Sequence, residues 1–243
     1  MRKRADTLLV ERGYFESRAR AQAAIAAGLV RVDGTTLAKA SQAIATDAAI
    51  EAELAHPYAS RGGIKLAHAL DHFEIDPGGR IALDTGASTG GFTDVLLKRG
   101  ASLVHAIDTG RDQLHASLRG DPRIISREGC DIRNLGLADF AEQPSLGVID
   151  VSFISLELVL PAVTGILAMD SELVALIKPQ FECGRQDRKK GIVRDEAVRL
   201  GACAKIRALA EMLGWQVRGI IASPVKGGDG NHEFLMAASR SGA

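Results

Sequence analysis

The chain has 243 residues, a length that favours one larger domain with a small additional module over two equal halves. Hydrophobic residues at 46% and charged residues at 25% exclude disordered, collagen-like and coiled-coil classes, and no apolar run is long enough for a membrane span or a signal peptide. The formal net charge is zero, but residues 1–40 hold eight basic and four acidic side chains, so this segment is basic and the remainder acidic.

The amino-terminal segment has the pattern of a small helical module with one hairpin. Helical spacing predicts helices over 4–13 and 17–27, with Ser17 as N-cap and Gly28 as the stop. A short strand follows at 29–32, and Asp33-Gly34 is a two-residue hairpin signal. We therefore expect a compact module over residues 1–55, followed by a linker at 56–60.

The remainder, residues 61–243, alternates apolar strand patterns with helical ones. Strands that look buried on both faces are predicted over 81–84, 103–108, 146–153, 173–178 and 217–222, with helices over 91–99, 112–119, 154–168 and 195–214. This alternation predicts an α/β fold with a Rossmann-like, mostly parallel sheet that binds ligands at the carboxyl ends of its strands. The last strand, 233–238, follows a glycine-rich turn so closely that it must form an antiparallel hairpin with its predecessor.

A glycine-rich loop follows the first strand and reads D-x-G-x-S-x-G from Asp84 to Gly90. It matches the dinucleotide pattern G-x-G-x-x-G only if Ser88 replaces the central glycine, which is a weak signal. Glycine amides that receive a carboxylate, with an acidic strand end beside them, suit the amino-acid part of S-adenosylmethionine. Asp108 follows about 20 residues after the glycines. At this spacing in nucleotide-binding α/β folds, a carboxylate binds the ribose hydroxyls. The predicted cofactor residues are Asp84, Gly86, Ser88, Thr89, Gly90, Gly91, Phe92, Asp108 and Asp131.

Four further residues fall where the predicted strands place a common pocket. Asp150 and Lys178 end strand patterns, Lys65 precedes the first strand, and Glu233 opens the final strand. Each residue taken singly is about as consistent with a solvent-facing side chain as with a functional one. Together they form a Lys-Asp-Lys-Glu set that calls for a chemical role.

These blocks resemble a known family. Residues 4–47, with Ser17-Arg18, Gly28 and Val30 to Gly34, resemble the alpha-L RNA-binding module of ribosomal proteins, and the remainder is similar to FtsJ-like ribose methyltransferases. Their combination resembles the TlyA family of ribosomal RNA 2′-O-methyltransferases, also named hemolysins. Besides Asp84 to Asp94, the blocks that carry the resemblance are Ser60 to Leu66, Ile149 to Ser155, Lys178 to Glu182 and Gly230 to Leu235.

The resemblance implies that Lys65, Asp150, Lys178 and Glu233 are catalytic, with S-adenosylmethionine as methyl donor and a cytidine ribose as acceptor. A ribose hydroxyl must lose its proton to attack a methyl group, and a lysine can take that proton only in its neutral form. We assign Lys178 as base, Asp150 and Lys65 as orienting groups and Glu233 as support. We expect no metal, because the cysteines are far apart and His68 and His72 lack further ligands.

Basic residues of two segments are expected to bind ribosomal RNA or ribosomal subunits. A second basic cluster, at 185–194, has the composition of a long surface loop. The predicted RNA-binding residues are Arg4, Arg18, Arg20, Arg31, Lys39, Arg188, Lys189 and Lys190.

Three alternatives compete with this interpretation. A nicotinamide-dependent oxidoreductase would use the glycine loop but leaves the four-residue set and the amino-terminal module without a role. A membrane-active hemolysin is disfavoured, because no membrane span or basic amphipathic helix is evident and we expect a cytoplasmic protein that does not bind membranes. The third alternative is an RNA-binding protein with an inactive methyltransferase fold.

Overall fold

The computed structural model describes residues 1–52 and 56–241. The chain divides into two compact units, Met1–Pro57 and Tyr58–Ala243. The predicted module end at residue 55 and domain end at residue 243 lie outside the described residues. Within the described part of the chain, no helix is long and apolar enough to cross a membrane.

The first unit contains the two predicted helices and the predicted hairpin. Ser17 Oγ accepts a hydrogen bond from the Arg20 amide at 3.3 Å, which confirms the predicted N-cap. Short strands at the start and end of the unit were not predicted, because two or three residues are too few to show a period. The elements are β1 Arg2–Arg4, α1 Ala5–Glu11, α2 Arg18–Ala26, β2 Val30–Val32, β3 Thr35–Thr36, β4 Ala43–Ala45 and β5 Ile50–Ala52.

Strands and helices alternate in most of the second unit, as predicted, but 3₁₀ turns take the place of α-helices between its second, third and fourth strands. Its strands are β6 Ile81–Thr85, β7 Leu103–Asp108, β8 Ile124–Glu128, β9 Leu146–Ile149, β10 Ser171–Ile177, β11 Gln216–Ala222 and β12 Phe234–Arg240. Its α-helices are α3 Gly62–His72, α4 Gly91–Lys98, α5 Leu156–Ile166, α6 Pro179–Glu182 and α7 Glu196–Met212.

The strands of the second unit form one sheet in the order β11-β12-β10-β9-β6-β7-β8. Strand β12 runs antiparallel to both of its neighbours, and the other pairs are parallel, so the predicted fold class is confirmed. Alternate residues of each central strand enter different apolar clusters: Val148 packs with α3 and α4, whereas Ile149 packs with α5 and α7. Helices therefore cover both faces, and the carboxyl ends of the parallel strands lie at one edge.

The structure corrects three local predictions. Residues 112–119 form a loop with one 3₁₀ turn, Ala116–Leu118, because the Glu128 carboxylate accepts hydrogen bonds from the amides of 112–114 and draws the backbone out of helical geometry. The strand predicted over 146–153 ends at Ile149. Strand β11 is an edge strand and is only partly buried, contrary to the expectation of burial on both faces. Strand β8, which contains Arg127 and Glu128, was not predicted at all.

Candidate active site

An ion pair forms where β9 and β10 end. Asp150 and Lys178 directly follow these neighbouring parallel strands, so their side chains emerge at the same edge of the sheet. Lys178 Nζ lies 2.6 Å from Asp150 Oδ1 and donates a hydrogen bond to Ser152 Oγ at 2.8 Å. Two acceptors thus hold an ammonium group whose side chain is only 9% exposed.

A second ion pair joins α3 to the start of β12. Lys65 Nζ lies 2.5 Å from Glu233 Oε2, and both side chains are almost completely buried. The two residues are 168 positions apart in the chain, so the pair fixes α3 against the antiparallel strand. Removal of one partner would leave a buried charge without compensation, which destabilises a protein strongly.

Two adjoining cavities connect these pairs with the glycine loop. The smaller cavity, of about 300 Å³, is polar, and Lys65, Asp150 and Lys178 all line it. The larger one, of about 460 Å³, is lined by Asp108, Asp131 and Asp150 among others. Asp150 belongs to both walls, and Glu233 reaches the smaller cavity through Lys65. The four predicted catalytic residues are therefore brought together as two ion pairs.

The glycine loop packs against the backbone of the Asp150 segment. Gly86 has a φ of +86°, and a Cβ at this position would collide with the carbonyl oxygen of Asp150. Only glycine permits this conformation and this approach at low cost. Gly86 and Ser88 line both cavities, while Thr89, Gly91 and Phe92 line the smaller one. Gly90, with a φ of +83°, shapes the turn into α4 and lines neither.

Two of the predicted acidic cofactor residues face the larger cavity. Asp108 accepts hydrogen bonds from the amide of Ser88 at 2.8 Å and from that of Gly110 at 2.6 Å, which fixes its carboxylate at the end of β7. Asp131 also lines this cavity, and its hydrogen bonds with Arg133 lower the pKa of its carboxyl. The structure places both carboxylates where a polar ligand in this cavity would meet them.

Asp84 lies elsewhere than its motif position predicts. Its side chain is fully buried, lines neither cavity and accepts a hydrogen bond from Thr93 Oγ1 of α4 at 2.6 Å. The other carboxylate oxygen is buried without a hydrogen-bond partner among the described residues. Burial in this environment raises the pKa of Asp84 to about 7. The Asp84 side chain is directed from the strand end toward α4, and its contact with a cofactor stays a prediction.

Two of the predicted RNA-binding arginines share a buried carboxylate. Arg4 and Arg18 lie 3.0 and 2.8 Å from Asp6 Oδ2, and the Asp6 side chain is fully buried. Gln22 donates to the same oxygen at 2.8 Å. About half of each arginine side chain is exposed. The ion pairs with Asp6 therefore hold both guanidinium groups at the surface.

The remaining candidates of the first unit are surface residues. Arg20 lies 3.8 Å from Glu16, Arg31 donates to the carbonyl oxygen of Gly34, and Arg31 and Lys39 are exposed. Their placement is compatible with contacts to a polyanion and does not identify one.

The second basic cluster is a surface loop, as its composition predicted, and it contains a 3₁₀ turn at Arg185–Asp187 and a hairpin turn at Lys189–Ile192. Lys189 and Ile192 exchange two backbone hydrogen bonds, and the two residues between them, Lys190 and Gly191, have positive φ angles of 54° and 81°. This is a tight type I′ turn. Arg188 is half-buried, while Lys189 and Lys190 are exposed.

Sequence reasoning missed three residues at this site. Ser152 binds Lys178, Lys226 lines the smaller cavity, and Phe153 is 92% exposed with a φ of +66°. Positive φ is rare for a large side chain and occurs where the surrounding structure enforces it. The segment Asp150 to Ser155 contains a polar and an aromatic residue next to a strand end, a signal that could have indicated Ser152 and Phe153 but not Lys226. Among the described residues, no group of three or more histidine, cysteine, aspartate or glutamate side chains could hold a metal ion.

Comparisons with known proteins show the family to which the chain belongs. Residues 58–240 match the FtsJ-like methyltransferase model, and residues 3–49 match the S4 domain model. The chain is 42% identical over 238 residues to the 16S/23S rRNA (cytidine-2′-O)-methyltransferase TlyA of Mycobacterium tuberculosis, covering 97% of this chain and 89% of that protein. It is 40% identical over 238 residues to Hemolysin A of Brachyspira hyodysenteriae, covering 96% and 98%.

A solved structure gives the same result for the fold. A hemolysin-named protein from Streptococcus thermophilus superposes with a TM-score of 0.78 at 41% identity, covering 100% of this chain and 90% of that one. Both family models and the relatives at more than 40% identity span the two units described above. The chain therefore belongs to the TlyA family of FtsJ-like methyltransferases, with an S4 domain at its amino terminus.

Proposed function

We propose that this protein transfers the methyl group of S-adenosylmethionine to a ribose 2′-hydroxyl of ribosomal RNA. The observation that carries the proposal is the common wall of the two cavities: Asp150 borders the glycine-loop cavity and, with Lys178, the polar one. A methyl donor in the first cavity and a hydroxyl group in the second would meet at this residue. Such alignment of two reactants is a large part of what an active site supplies.

The larger cavity fits the proposed cofactor. Its volume of about 460 Å³ lies within the usual range for small-molecule sites. Asp108, fixed at the end of β7, would accept hydrogen bonds from the ribose hydroxyls of S-adenosylmethionine. Bound there, the cofactor supplies an electrophilic methyl group. The close packing of Gly86 on the Asp150 carbonyl keeps this ligand next to the reacting residues.

Lys178 is the proposed base. Asp150 and Ser152 occupy two of the hydrogen-bonding positions around its nitrogen, which leaves one for the ribose oxygen. Lys178 acts as base after its ammonium proton has been released to solvent: the neutral amine takes the hydroxyl proton and becomes an ammonium ion again, and Asp150, at 2.6 Å, stabilises that ion. The ion pair thus favours the product of the proton transfer.

Lys65 and Glu233 have a positioning role in this proposal. Lys65 lines the smaller cavity, where its ammonium group can donate to oxygens of the substrate, and Glu233 fixes its position from the buried side. Because the pair carries no net charge, Lys65 adds a directed donor to the cavity without adding net charge there.

The proposed substrate is RNA with an accessible, unstacked nucleotide. The S4 domain match, the 2′-O-methyltransferase name of the relative from M. tuberculosis and the basic hairpin all support RNA. That name specifies cytidine, which we propose here as the acceptor nucleoside, and a ribosomal RNA substrate would place the enzyme in the cytoplasm. Phe153 projects beside the catalytic ion pair and is suited to stack on the displaced base.

Transfer of a radiolabelled methyl group tests the proposal. Ribosomal subunits and naked ribosomal RNA would be incubated with the enzyme and labelled S-adenosylmethionine, and alkali-resistant positions mapped. We expect label at a defined ribose with wild type and none with Lys178→Ala. Failure of the wild-type enzyme to label any ribosomal RNA, together with stabilisation by NAD and not by S-adenosylhomocysteine, would favour the oxidoreductase alternative.

A further inference from the structure

Asn231 connects the basic hairpin to the loop that precedes Glu233. Its side-chain amide donates to the carbonyl oxygen of Gly191 at 2.9 Å, and its side-chain oxygen accepts from the amide of Val193 at 2.9 Å. Asn231 is 1% exposed, and both polar ends of its side chain are satisfied by backbone groups of the hairpin and its base. A single buried side chain therefore binds the hairpin, which lies 40 residues earlier in the sequence.

The same asparagine also closes its own loop. Its side-chain amide donates to Asp229 Oδ2 at 2.7 Å, and its backbone amide donates to Asp229 Oδ1 at 3.0 Å. Gln180, two residues after Lys178, donates to Asp229 Oδ2 at 3.3 Å. Short hydrogen-bond networks of this kind fix the relative position of the segments they join. The hairpin is thereby linked to the segments that carry Lys178 and Glu233.

This loop also forms part of the polar cavity. Lys226 and Gly228, which precede Asp229, line it together with Lys65 and Lys178. A Cβ at Gly227 would come within 2.6 Å of Glu233 Oε1, so the loop backbone packs directly on the buried ion pair. The loop that Asn231 fixes is thus a wall of the proposed catalytic site.

The hairpin presents two exposed lysines at a tight turn. Lys189 and Lys190 lie at this turn, and Val193 at its base is 1% exposed, which anchors it. Lysines on a backbone that is held in one position suit phosphate groups of a nucleic acid, because the loop backbone loses little conformational entropy on binding. A flexible loop with the same composition would bind with less positional precision.

We propose that Asn231 is a positioning residue for the substrate: it fixes the Lys189–Ile192 hairpin relative to Lys178 and Glu233, so that Lys189 and Lys190 bind the RNA phosphates flanking the target nucleotide. This inference rests on the proposed function and adds the part of the RNA that the hairpin contacts. Phosphate contacts orient a substrate without reading its sequence, so the hairpin sets the position of the ribose and leaves the choice of nucleotide to other residues.

Two variants test the role of the hairpin, with one matched control. Asn231→Ala removes the connection, and Gly191→Val disfavours the turn itself, since Gly191 has a φ of +81° and open space around its Cβ position. Gly120→Val is the control: Gly120 has a φ of +82° and equally open space, so the backbone penalty is the same in a different loop.

For Asn231→Ala and Gly191→Val we expect the KM for ribosomal RNA to rise about tenfold, while kcat changes less than about twofold. The slope of log affinity for RNA against log salt should fall by roughly 0.7 to 0.9 for each phosphate that the hairpin lysines no longer neutralise. Calorimetry should give the same affinity for S-adenosylmethionine as in wild type, and Gly120→Val should leave all three quantities unchanged.

A purely structural role for Asn231 predicts a different result. Melting temperature and kcat would then fall together, and the salt slope would equal that of wild type in both variants, which would overturn the inference. If Asn231→Ala does not fold, Gly191→Val decides alone. RNA binding is measured directly by filter retention and does not depend on methyl transfer. A wild-type enzyme that binds RNA and fails to methylate it would therefore refute the proposed function, while the salt slopes of the variants would still test the hairpin.

Discussion

Asp84 is a fully buried carboxyl whose pKa is raised to about 7, mainly because burial disfavours its charged form. In the unfolded chain the same group ionises near pH 4. Between about pH 4 and 7 the unfolded state loses this proton and the folded state retains it. The free energy of unfolding therefore falls as pH rises through this range and levels off above it.

Asp84→Asn removes this pH dependence while keeping an oxygen that can accept the hydrogen bond from Thr93. Between pH 5 and 8, we expect the unfolding free energy of wild type to fall by about 2 to 3 kcal/mol more than that of the variant. Urea unfolding at several pH values measures the difference, and other titrating groups cancel in it. Parallel profiles for the two proteins would show that Asp84 is ionised in the folded state.

Lys178 is the residue on which the proposed proton transfer depends. We expect Lys178→Ala to lower single-turnover methyl transfer by a factor on the order of 10² to 10⁴, with the affinity for S-adenosylmethionine retained. Lys178→Arg should not restore the rate, because a guanidinium stays protonated. Lys226→Ala, which removes another lysine from the same cavity, should lower the rate by a smaller factor, because Lys178 is the lysine paired with Asp150. An active Lys178→Arg enzyme would exclude the base role.

At the scale of elements, the loop between β6 and α4 depends on Gly86. Gly86→Ala forces a Cβ toward the Asp150 carbonyl at a φ of +86°, so we expect a loss of roughly 1 to 3 kcal/mol of stability together with weaker cofactor binding. Gly79→Ala is the matched control: Gly79 has a φ of +70° and an open Cβ position, so it bears the backbone cost alone. Chemical denaturation and calorimetry with S-adenosylhomocysteine distinguish the two. Equal effects in both variants would mean that the contact with Asp150 is unimportant.

The central strands and most helices were predictable because their apolar patterns are long and the same residues are buried in the structure. The edge strands were harder: β8 has an apolar start, Ile124-Ile125, and then polar residues, and the pattern of β11 does not reveal which face is exposed. The loop at 112–119 was predicted as a helix because the decisive partner, Glu128, lies on another strand. Local patterns contain no information on such long-range contacts.

The same reasoning applies to the site. Lys65 and Glu233 could be proposed from the family resemblance, but their pairing with each other and not with Asp150 or Lys178 depends on how α3 meets β12. Asp84 stands at the expected motif position and yet turns away from the cavities, since Thr93 of α4 offers it a partner. Sequence reasoning identified which residues gather at the sheet edge, and the tertiary contacts decide which of them touch.

At the scale of the whole molecule, the neutral chain has an excess of positive charge at the start of the first unit, where residues 1–40 hold eight basic and four acidic side chains. Not every arginine there is a clean probe of RNA binding, because Arg4 and Arg18 also stabilise the buried Asp6. The hydrogen bond from Arg4 leads the interactions that hold the pKa of Asp6 far below its usual value, so loss of either arginine removes folding free energy as well as surface charge. We expect Arg18→Ala to destabilise the first unit by about 1 to 3 kcal/mol, measured by hydrogen exchange of α1 and α2. Unchanged protection in these helices would mean that the hydrogen bonds from Arg4 and Gln22 are sufficient to stabilise the buried Asp6 carboxylate.

Arg31 and Lys39 are the better probes of electrostatic recognition, because both are exposed and neither contacts Asp6. The double variant Arg31→Ala/Lys39→Ala should keep the wild-type melting temperature and bind ribosomal RNA more weakly. The slope of log affinity against log salt should fall by roughly 0.7 to 0.9 for each phosphate that is no longer neutralised, since fewer counterions are released. Arg207→Ala, an exposed arginine of α7, is the control for a general effect of charge. A slope equal to that of wild type would remove these two residues from the RNA surface and leave Lys189 and Lys190 as the principal phosphate contacts.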